Sequence, residues 1–446
     1  MNIILPSQVE TVINTLEKNG FEAYIVGGCV RDSIIKKTPP DWDITTNALP
    51  NEVLAVFKDF KTIQTGLKHG TITVVVDSMS LEITTFRVDG DYLDNRHPEK
   101  VKFCTTIKED LNRRDFTMNS MAYNNRFGLI DPFGGKNDIE NKIIRCVGNA
   151  DLRFSEDALR ILRALRFSSV LGFELEKSTC DSIHKNAHLL QNISKERVAS
   201  ELLKILCGNN VYDILINYRD VFAIIIPQIE PMFYFWQHNK HHIFDVWEHT
   251  VVAIDFAKKD PIIRLSLLLH DIGKPSCFTK GDDGIGHFYG HANASVAISE
   301  DILNNLKFSN DIKSTVLPLV KYHDYHISPD KKTVKKRLAK LSEPMLRQLL
   351  EVKLADSLAQ NPDFSHFEQN YFEIHSIIDD IIKNDECFKI CDLAINGDDL
   401  IALGIPKGKK IGKILNQLLS DVIDGSLENN KKSLVDSVKN GGLNYE

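Results

Sequence analysis

The chain has 446 residues, of which 43% are hydrophobic and 26% charged, and its formal net charge is −7. This length predicts roughly three domains, and the composition excludes extensive disorder, collagen and coiled-coil classes. Its apolar runs are far shorter than the ~20 residues that cross a bilayer, and the N-terminus lacks a signal-peptide pattern, so we predict a cytoplasmic protein with no membrane partner. The negative charge also means that any nucleic-acid site is local.

Strand and helix signals divide the chain into an α+β part and a helical part. Three β-branched runs predict strands: Tyr24–Val26, Thr71–Val76 and Leu81–Phe86. After Asp151 strand signals nearly vanish and helical periodicity prevails. We therefore predict a mixed sheet with helices in a head over residues 1–145. Clusters of breaker residues divide the helical remainder into a neck, a body and a tail, at 146–210, 211–362 and 363–446.

A turn of two glycines follows the first predicted strand. Gly27 and Gly28 let backbone N–H groups approach an anion, and Arg31 adds positive charge where a short helix begins. Such a turn is by itself more often structural.

Three carboxylates fall in predicted strands of the head. Asp41 and Asp43 are two residues apart, so they project from the same face and can chelate a hard cation such as Mg²⁺. Glu82, in another predicted strand, supplies a third carboxylate. A polymerase-type site requires such a cluster, because cations activate an attacking 3′ hydroxyl and steady the leaving pyrophosphate. An isolated Asp-x-Asp is more often a solvated loop.

Three motifs of the head together resemble one family. They are Gly27-Gly28-x-x-Arg31-Asp32, Asp41-x-Asp43 and Arg113-Arg114-Asp115-Phe116-Thr117-x-Asn119, and they resemble the class II tRNA nucleotidyltransferases and bacterial poly(A) polymerases. The resemblance implies a polymerase-β-like nucleotidyltransferase head in which Asp41 and Asp43 bind catalytic Mg²⁺. It further implies that Gly28, Arg31 and Arg114 contact the incoming nucleotide, and that ATP, CTP and tRNA are partners.

A helix of the predicted neck begins at Glu156-Asp157-x-x-Arg160, with Ser155 as the predicted N-cap. Side by side, an Asp carboxylate and an Arg guanidinium can hydrogen-bond the Watson–Crick edge of a base; the alternative is an intrahelical ion pair worth a few tenths of a kcal/mol. The family resemblance implies that Asp157 and Arg160 select ATP and CTP. It carries over Arg163 and Arg166 as further nucleotide contacts, and we expect Arg197 to brace this helix.

Histidines and aspartates recur in order along the predicted body. Imidazoles and carboxylates from several helices suit a site for one or two ions of Mn, Fe, Ni, Co or Zn, and hence phosphoester hydrolysis. The series resembles the HD phosphohydrolase superfamily and comprises His249, His270, Asp271, His291, His323 and Asp356. The alternative is an HD fold that serves only as a tRNA-binding body.

Two lysine-rich segments are local candidates for nucleic-acid binding. Residues 331–340 read equally well as a solvated helix face. The segment from Leu403 predicts a glycine-rich turn between two helices, and turn amides with lysines can hold a sugar-phosphate backbone. It resembles the tail motif of family members that grip tRNA, through Lys407, Lys409, Lys410 and Lys413. A hairpin whose glycines serve packing is the alternative.

Taken together, these motifs predict a Mg²⁺-dependent enzyme that adds C, C and A to tRNA 3′ ends without a nucleic-acid template. The alternatives are a poly(A) polymerase, an enzyme that adds only CC or only A, and a phosphohydrolase whose head binds RNA. Residues 86–98 resemble a flexible loop that is associated with full CCA addition. The sequence leaves the oligomeric state open.

Overall fold

The computed structural model describes residues 2–67, 70–89, 101–363 and 367–440. Contacts within them divide the chain into two compact units, Met1–Glu230 with Asn305–Lys307, and Pro231–Asn304 with Phe308–Glu446. No helix among the described residues is both long and apolar enough to cross a membrane.

The first unit begins with a sheet and its flanking helices. In chain order these elements are α1 Ser7–Lys18, β1 Ala23–Val26, α2 Gly28–Ile34, β2 Asp43–Thr46, α3 Pro50–Val56, β3 Lys61–Ile63, β4 Thr71–Val76, β5 Met79–Thr85, β6 Arg87–Asp89, β7 Val101–Phe103, α4 Ile107–Asn112, β8 Ala122–Asn124, β9 Gly128–Ile130, α5 Gly135–Glu140 and β10 Ile143–Ile144. Seven strands form one sheet in the order β3-β4-β5-β2-β1-β8-β9. The pair β2 and β5 is parallel, and the other neighbours are antiparallel, so the predicted mixed sheet is confirmed.

Further helices and one short strand continue the first unit. They are α6 Ala150–Glu156, α7 Leu159–Leu171, β11 Glu174–Leu175, α8 Lys177–Asn186, α9 Lys195–Leu206, α10 Val211–Asn217 and α11 Arg219–Ile225. The apolar face of α9 is buried, and α9 packs against α7. This pairing fixes the face that α7 turns toward α9. The short strand β11 pairs with β10, so the stretch predicted as a helical neck contains one strand.

The second unit is largely helical. Its elements are α12 Val246–Phe256, α13 Pro261–His270, β12 Thr279–Lys280, β13 Gly286–His287, α14 His291–Asn305, α15 Asn310–Tyr322, α16 Lys331–Leu341, α17 Glu343–Leu358, α18 Phe367–Lys383, α19 Gly397–Ala402, α20 Lys409–Asp424 and α21 Lys431–Asn440. The hairpin β12–β13 is a further departure from the all-helical prediction. One apolar cluster joins α15 to α18, and a separate cluster joins α19 to α21. The four-part division predicted from the sequence stays a prediction.

Candidate functional site

The three predicted head carboxylates lie together near the start of β2, on or beside two neighbouring strands in the interior of the sheet. Asp43 opens β2, Asp41 precedes it by two residues, and Glu82 on β5 is the register partner of Asp43. All three are exposed. Partial desolvation, followed by the negative charge of Asp41, raises the pKa of Asp43 to about 6; Glu82 adds to this and Arg114 opposes it. This mutual repulsion is what a bound cation relieves, and carboxylate oxygens are the ligands that Mg²⁺ prefers.

Arg114 lies beside the glycine turn, near these carboxylates. Gly27 has a φ of +80°, which favours glycine, and a Cβ there would lie 3.0 Å from Nη1 of Arg114. Nη2 of Arg114 donates to the buried Asp110 at 3.2 Å. Burial alone would raise the pKa of Asp110, but the guanidinium groups of Arg114 and Arg113 lower it. Arg114 is therefore held in place by a buried anion.

One hydrogen-bond network joins the glycine turn, the second head motif and α7. Nη1 of Arg31 donates to Oδ1 of Asn119 at 2.7 Å, and Nδ2 of Asn119 donates to Oδ1 of Asp115 at 3.2 Å. Oδ2 of Asp115 accepts from Nη2 and Nε of Arg163 at 2.7 and 2.8 Å. Burial alone would raise the pKa of Asp115, but the guanidinium of Arg163 outweighs burial and lowers this pKa to about 2. Residues distant in sequence are thus joined by one continuous network of hydrogen bonds.

The structure corrects the predicted start of the base-selecting helix. Ser155 is not an N-cap: it lies in the last turn of α6, where its Oγ donates to the Leu152 carbonyl at 2.9 Å. Asp157 is extended, with φ −140° and ψ 101°, and separates α6 from α7. Its Oδ1 accepts the N–H of Leu159 at 3.1 Å, so Asp157, and not Ser155, supplies a side-chain acceptor at the start of α7.

Asp157 and Arg160 each have a fixed ionic partner. Nη2 of Arg197, on α9, donates to Oδ2 of Asp157 at 2.8 Å, which confirms that Arg197 braces this segment. Nη1 of Arg160 donates to Glu156 at 2.5 Å and Nη2 to the carbonyl of Arg113 at 3.0 Å. The ion pairs seen are therefore Asp157–Arg197 and Glu156–Arg160. Further along α7, Nε of Arg166 lies 3.2 Å from Oε2 of Glu201.

The six histidine and aspartate residues predicted in the body converge in the second unit. They come from α12, the end of α13, the start of α14, the end of α15, and α17. Asp271 is central: its Oδ2 lies 3.1 Å from Nε2 of His270 and 3.6 Å from Nε2 of His249, and its Oδ1 lies 3.5 and 3.6 Å from Nε2 of His291 and His323. Oδ1 of Asp356 lies 2.9 Å from Nε2 of His249.

Backbone hydrogen bonds orient all four imidazoles in the same way. Each Nδ1 contacts a backbone carbonyl oxygen, and each Nε2 faces the other ligands; the carbonyls are those of Ala359, Leu267, Phe288 and Val320. An Nδ1–H that donates to a carbonyl leaves Nε2 as the ligand atom. Among the described residues, the buried Nε2 of His270 and Oδ1 of Asp271 have no hydrogen-bond partner. Buried polar atoms of this kind fit a metal ion.

A polar cavity of about 390 Å³ opens onto this cluster, lined among others by Asp271, His291, His323 and Asp356. The buried Lys274 adds a cation beside it, with Nζ 2.6 Å from Oδ2 of Asp271 and 2.8 Å from Oε1 of Gln237. Gly273 lies against α14: a Cβ there would be 2.5 Å from Ser295 N and 2.7 Å from His291 O. The cluster thus depends on a close approach that only glycine permits.

The predicted helix, glycine turn and helix of the tail are confirmed as α19, the turn and α20. Gly404 and Gly408 have φ values of +89° and +144°. The side chains at the start of α20 and before it are exposed at Lys407, Lys409 and Lys413 and half-buried at Lys410. On α16, by contrast, four lysines pair with Glu386 or Asp424: Lys331, Lys332, Lys335 and Lys336. These pairings favour the solvated-face interpretation of 331–340.

Comparison with known proteins assigns the chain to a family. The model of the poly A polymerase head domain matches residues 23–145, a probable RNA- and SrmB-binding site of polymerase A matches 172–233, and a putative tRNA nucleotidyltransferase domain 2 matches 278–438. The CCA-adding enzyme of Streptococcus mutans is 32% identical over 440 residues, 98% of each chain. The chain belongs to the family of CCA-adding enzymes. These are tRNA nucleotidyltransferases, as the head motifs predicted.

Other CCA-adding enzymes add detail. That of Geobacillus thermodenitrificans is 52% identical over 197 residues, which span 44% of this chain and 48% of that enzyme, about half its length. The crystal structure of the Bacillus stearothermophilus CCA-adding enzyme in complex with CTP is 27% identical, with a TM-score of 0.73 over 98% of this chain and 99% of that one. The Thermotoga maritima CCA-adding enzyme complexed with tRNA, at 21% identity and a TM-score of 0.60, shows the same fold.

Several buried residues of the two sites were not predicted from the sequence to have a role. They are Asp110, Asp115, Asn119 and Glu201 in the first unit and Lys274 in the second. The first four lie beside an arginine, and Lys274 lies beside Asp271 and Gln237. A buried charge requires a partner, but the sequence does not indicate which distant residue supplies it.

Proposed function

We propose that this chain adds C, C and A to the 3′ end of tRNA from CTP and ATP, with release of pyrophosphate and without a nucleic-acid template. The observation that carries the proposal is the network from Arg31 through Asn119 and Asp115 to Arg163, because it ties the nucleotide-binding motifs of the head to the helix that follows Asp157. Family membership over nearly the whole chain supports it.

The head carboxylates would hold the catalytic metal. Asp41, Asp43 and Glu82 present hard oxygen ligands close together near the start of β2. Mg²⁺, when bound, lowers the pKa of the attacking 3′ hydroxyl and neutralises charge on the departing pyrophosphate. Gly28, Arg31 and Arg114 face the nucleotide phosphates, with Arg163 and Arg166 as further contacts.

Base selection would depend on Asp157 and Arg160. Because Arg197 and Glu156 already hold them, their hydrogen-bonding edge is fixed before the nucleotide arrives. A carboxylate accepts from an exocyclic amine, which cytosine and adenine carry and uracil lacks, while a guanidinium donates to ring acceptors. A fixed edge rejects the wrong base because that base leaves buried polar groups unpaired.

Four segments would divide the work. We propose a catalytic head over 1–145, a nucleotide-selecting neck over 146–210, a body over 211–362 and a tail over 363–446. Lys407, Lys409, Lys410 and Lys413 would contact the tRNA backbone, which gives affinity without reading sequence. Residues 91–98 of the loop associated with full CCA addition lie outside the described residues, so that argument rests on sequence alone.

The deciding experiment supplies tRNA transcripts that lack CCA, or end in CC, with CTP, ATP or both. Full CCA addition predicts two C residues with CTP alone, one A on the CC transcript with ATP, and a stop after A with both. A long A tail would indicate poly(A) synthesis, and a missing C or A step would indicate a partial enzyme.

A variant tests the selecting pair. Asp157→Ala should reduce the preference for CTP and ATP over UTP and GTP by about tenfold or more, with tRNA affinity unchanged. Glu140→Ala, at an exposed carboxylate of the same unit, is the control. An equal loss of rate with all four nucleotides would contradict the template role.

The buried cluster in the second unit favours a second function. We propose that His249, His270, Asp271, His291, His323 and Asp356 hold one or two transition-metal ions, such as Mn, Fe, Ni, Co or Zn, and that the cavity hydrolyses phosphoesters. Such an ion, when bound, supplies an activated water. Asp271 and the imidazoles fix its position, and Lys274 offers positive charge to a substrate phosphate.

Elemental analysis and an assay test this second function. The purified protein should contain metal, and with Mn²⁺, Ni²⁺ or Co²⁺ it should hydrolyse phosphomonoesters or 2′,3′-cyclic phosphates. His270→Ala with Asp271→Ala should abolish hydrolysis and spare CTP and ATP incorporation. Absence of metal and of hydrolysis from the wild type would favour the tRNA-binding alternative.

A further inference from the structure

One aromatic ring in the first unit lies against three arginines. Phe167, on α7, is 7% exposed. The guanidinium carbon lies 4.3 Å from its ring centroid in Arg166, 5.0 Å in Arg31 and 5.6 Å in Arg163. A cation within about 6 Å of a ring face is attracted by the ring quadrupole. A single aliphatic core residue would give the same burial without this attraction.

Each of the three arginines is also tied to one carboxylate. Arg31 pairs with Asp32 at 2.8 Å, and Arg163 and Arg166 pair with Asp115 and Glu201. The three guanidinium-bearing side chains are largely buried, at 12%, 34% and 16% exposure. Burial lowers the pKa of Arg166, and the positive charges of Arg163 and Arg31 add to this against Glu201. Three like charges this close repel one another, and the three carboxylates together with the Phe167 ring offset that repulsion.

The location of the ring connects it to nucleotide binding. Arg31 follows the glycine turn on α2, and the Sγ of Cys29, on the same helix, lies 3.9 Å from the backbone oxygen of Asp43. Helix α2 thus contacts the start of β2, where the proposed metal-binding carboxylates lie, and the Phe167 ring joins Arg163 and Arg166 to Arg31 of that helix. A nucleotide triphosphate is the polyanion that would face both groups.

We propose that Phe167 is a positioning residue for the triphosphate of the incoming nucleotide, acting through the guanidinium groups of Arg31, Arg163 and Arg166. The inference rests on the proposed nucleotidyltransferase function and names a residue to which no role was assigned. The edge of Phe116 supports the ring, with centroids 5.8 Å apart and planes at 84°. The ring orients the arginines before binding, so the triphosphate does not have to order them.

The test replaces the ring and keeps the burial. Phe167→Leu should raise the KM for CTP and for ATP by the same factor, about tenfold, while kcat stays within about twofold. The inhibition constant of inorganic tripolyphosphate should rise by that factor too, because this probe has no base. Phe167→Tyr keeps the ring face and should restore values near the wild type.

A matched variant separates positioning from packing. Phe173 lies in the same unit and is also 7% exposed, and among the described residues no guanidinium lies over its ring. Phe173→Leu should lower the thermal unfolding midpoint about as much as Phe167→Leu does, with unchanged KM and tripolyphosphate inhibition. An equal rise in KM for both leucine variants, or none for Phe167→Leu, would overturn the proposal.

Binding of tripolyphosphate measured by calorimetry keeps the two proposals distinguishable. An inactive wild type would refute the nucleotidyltransferase function, whereas weaker tripolyphosphate binding by Phe167→Leu still supports positioning. An active wild type with unchanged binding in Phe167→Leu would refute positioning alone. Increased misincorporation of UTP or GTP at normal KM would place the ring in base selection and also overturn it.

Discussion

The two candidate metal sites place their carboxylates in opposite surroundings. In the head, Asp41, Asp43 and Glu82 are exposed near the start of β2. Asp41 is close to Asp43 in sequence, and Glu82 is the register partner of Asp43 on β5. In the second unit, His270 and Asp271 are 0% and 1% exposed and belong to a set of candidate ligands from five helices. An open cluster of like charges suits a cation that arrives with its substrate. A buried, oriented set suits a resident ion, whose binding free energy then adds to folding.

The largest effect expected from this contrast is a loss of catalysis without a loss of stability. Asp43→Asn should lower nucleotide incorporation by about 10³-fold or more, since it removes a proposed ligand of the catalytic cation. Because the change also relieves repulsion with Asp41, the free energy of unfolding should stay equal or rise. Steady-state incorporation and thermal unfolding check both. Asp59→Asn, at an exposed head carboxylate, should change neither; strong destabilisation by Asp43→Asn would refute the contrast.

Metal removal should distinguish the clusters by stability. An ion present at about 100 times its Kd adds about 2.7 kcal/mol to the free energy of unfolding. Dialysis against a chelator should therefore lower the unfolding midpoint, and Mn²⁺ should restore it. His270→Ala with Asp271→Ala should make the midpoint insensitive to both treatments. If Mg²⁺ without nucleotide raises the unfolding midpoint of this double variant as much as Mn²⁺ raises that of the wild type, the head cluster is not an open site.

The head also contains a carboxylate that the fold has already paired, and its pH dependence follows. The pKa of Asp115 falls from 3.8 to about 2 in the folded chain, so its stabilisation is present above pH 4 and is lost as the pH falls through about 2. Asp115→Asn should cost about 2 kcal/mol at pH 7, and the difference should shrink between pH 4 and pH 2. Chemical denaturation across this range measures it. A cost that is independent of pH would mean that packing, and not charge, is lost.

The smallest effect compares exposed lysines with lysines that already pair with a carboxylate. Lys409→Ala with Lys413→Ala should weaken tRNA binding several-fold and make its salt dependence shallower by about two counterions. Lys332→Ala with Lys336→Ala is the matched control, because both lysines already pair with Asp424 at 2.7 and 2.8 Å. Filter binding at several salt concentrations compares them. Equal losses would show that the paired lysines also contact tRNA.

Local patterns predicted the elements well. Strand periodicity predicted that Asp43 and Glu82 lie in two different strands, and Thr71–Val76 was predicted with its observed bounds; the register then brings the two carboxylates together. The ordered histidines and aspartates converged as expected, because each stands at or near the end of a helix or within one facing the cluster.

Contacts between distant segments were beyond the sequence. Ser and Asp are both favoured residue types at an N-cap. Only the extended backbone at Asp157 decides between Ser155 and Asp157. The partners of Asp157 and Arg163 lie 40 and 48 residues away. For Asp157, helical spacing suggested a pairing with the nearer Arg160, and for Arg163 the sequence suggested no partner. Phe167 read as an ordinary core residue, since nothing local shows that Arg31 reaches its ring.

Gly273 has a consequence for the ion that we propose the second unit holds. With no side chain at this position, the turn after α13 touches the backbone of α14 near His291 and Ser295. The distance between Asp271 and His291 is therefore set by a residue that binds nothing. Selectivity among transition metals depends on ligand spacing and geometry. A single methyl group at residue 273 would push the turn away from α14, increase the distance between Asp271 and His291, and change the ionic radius that the site fits.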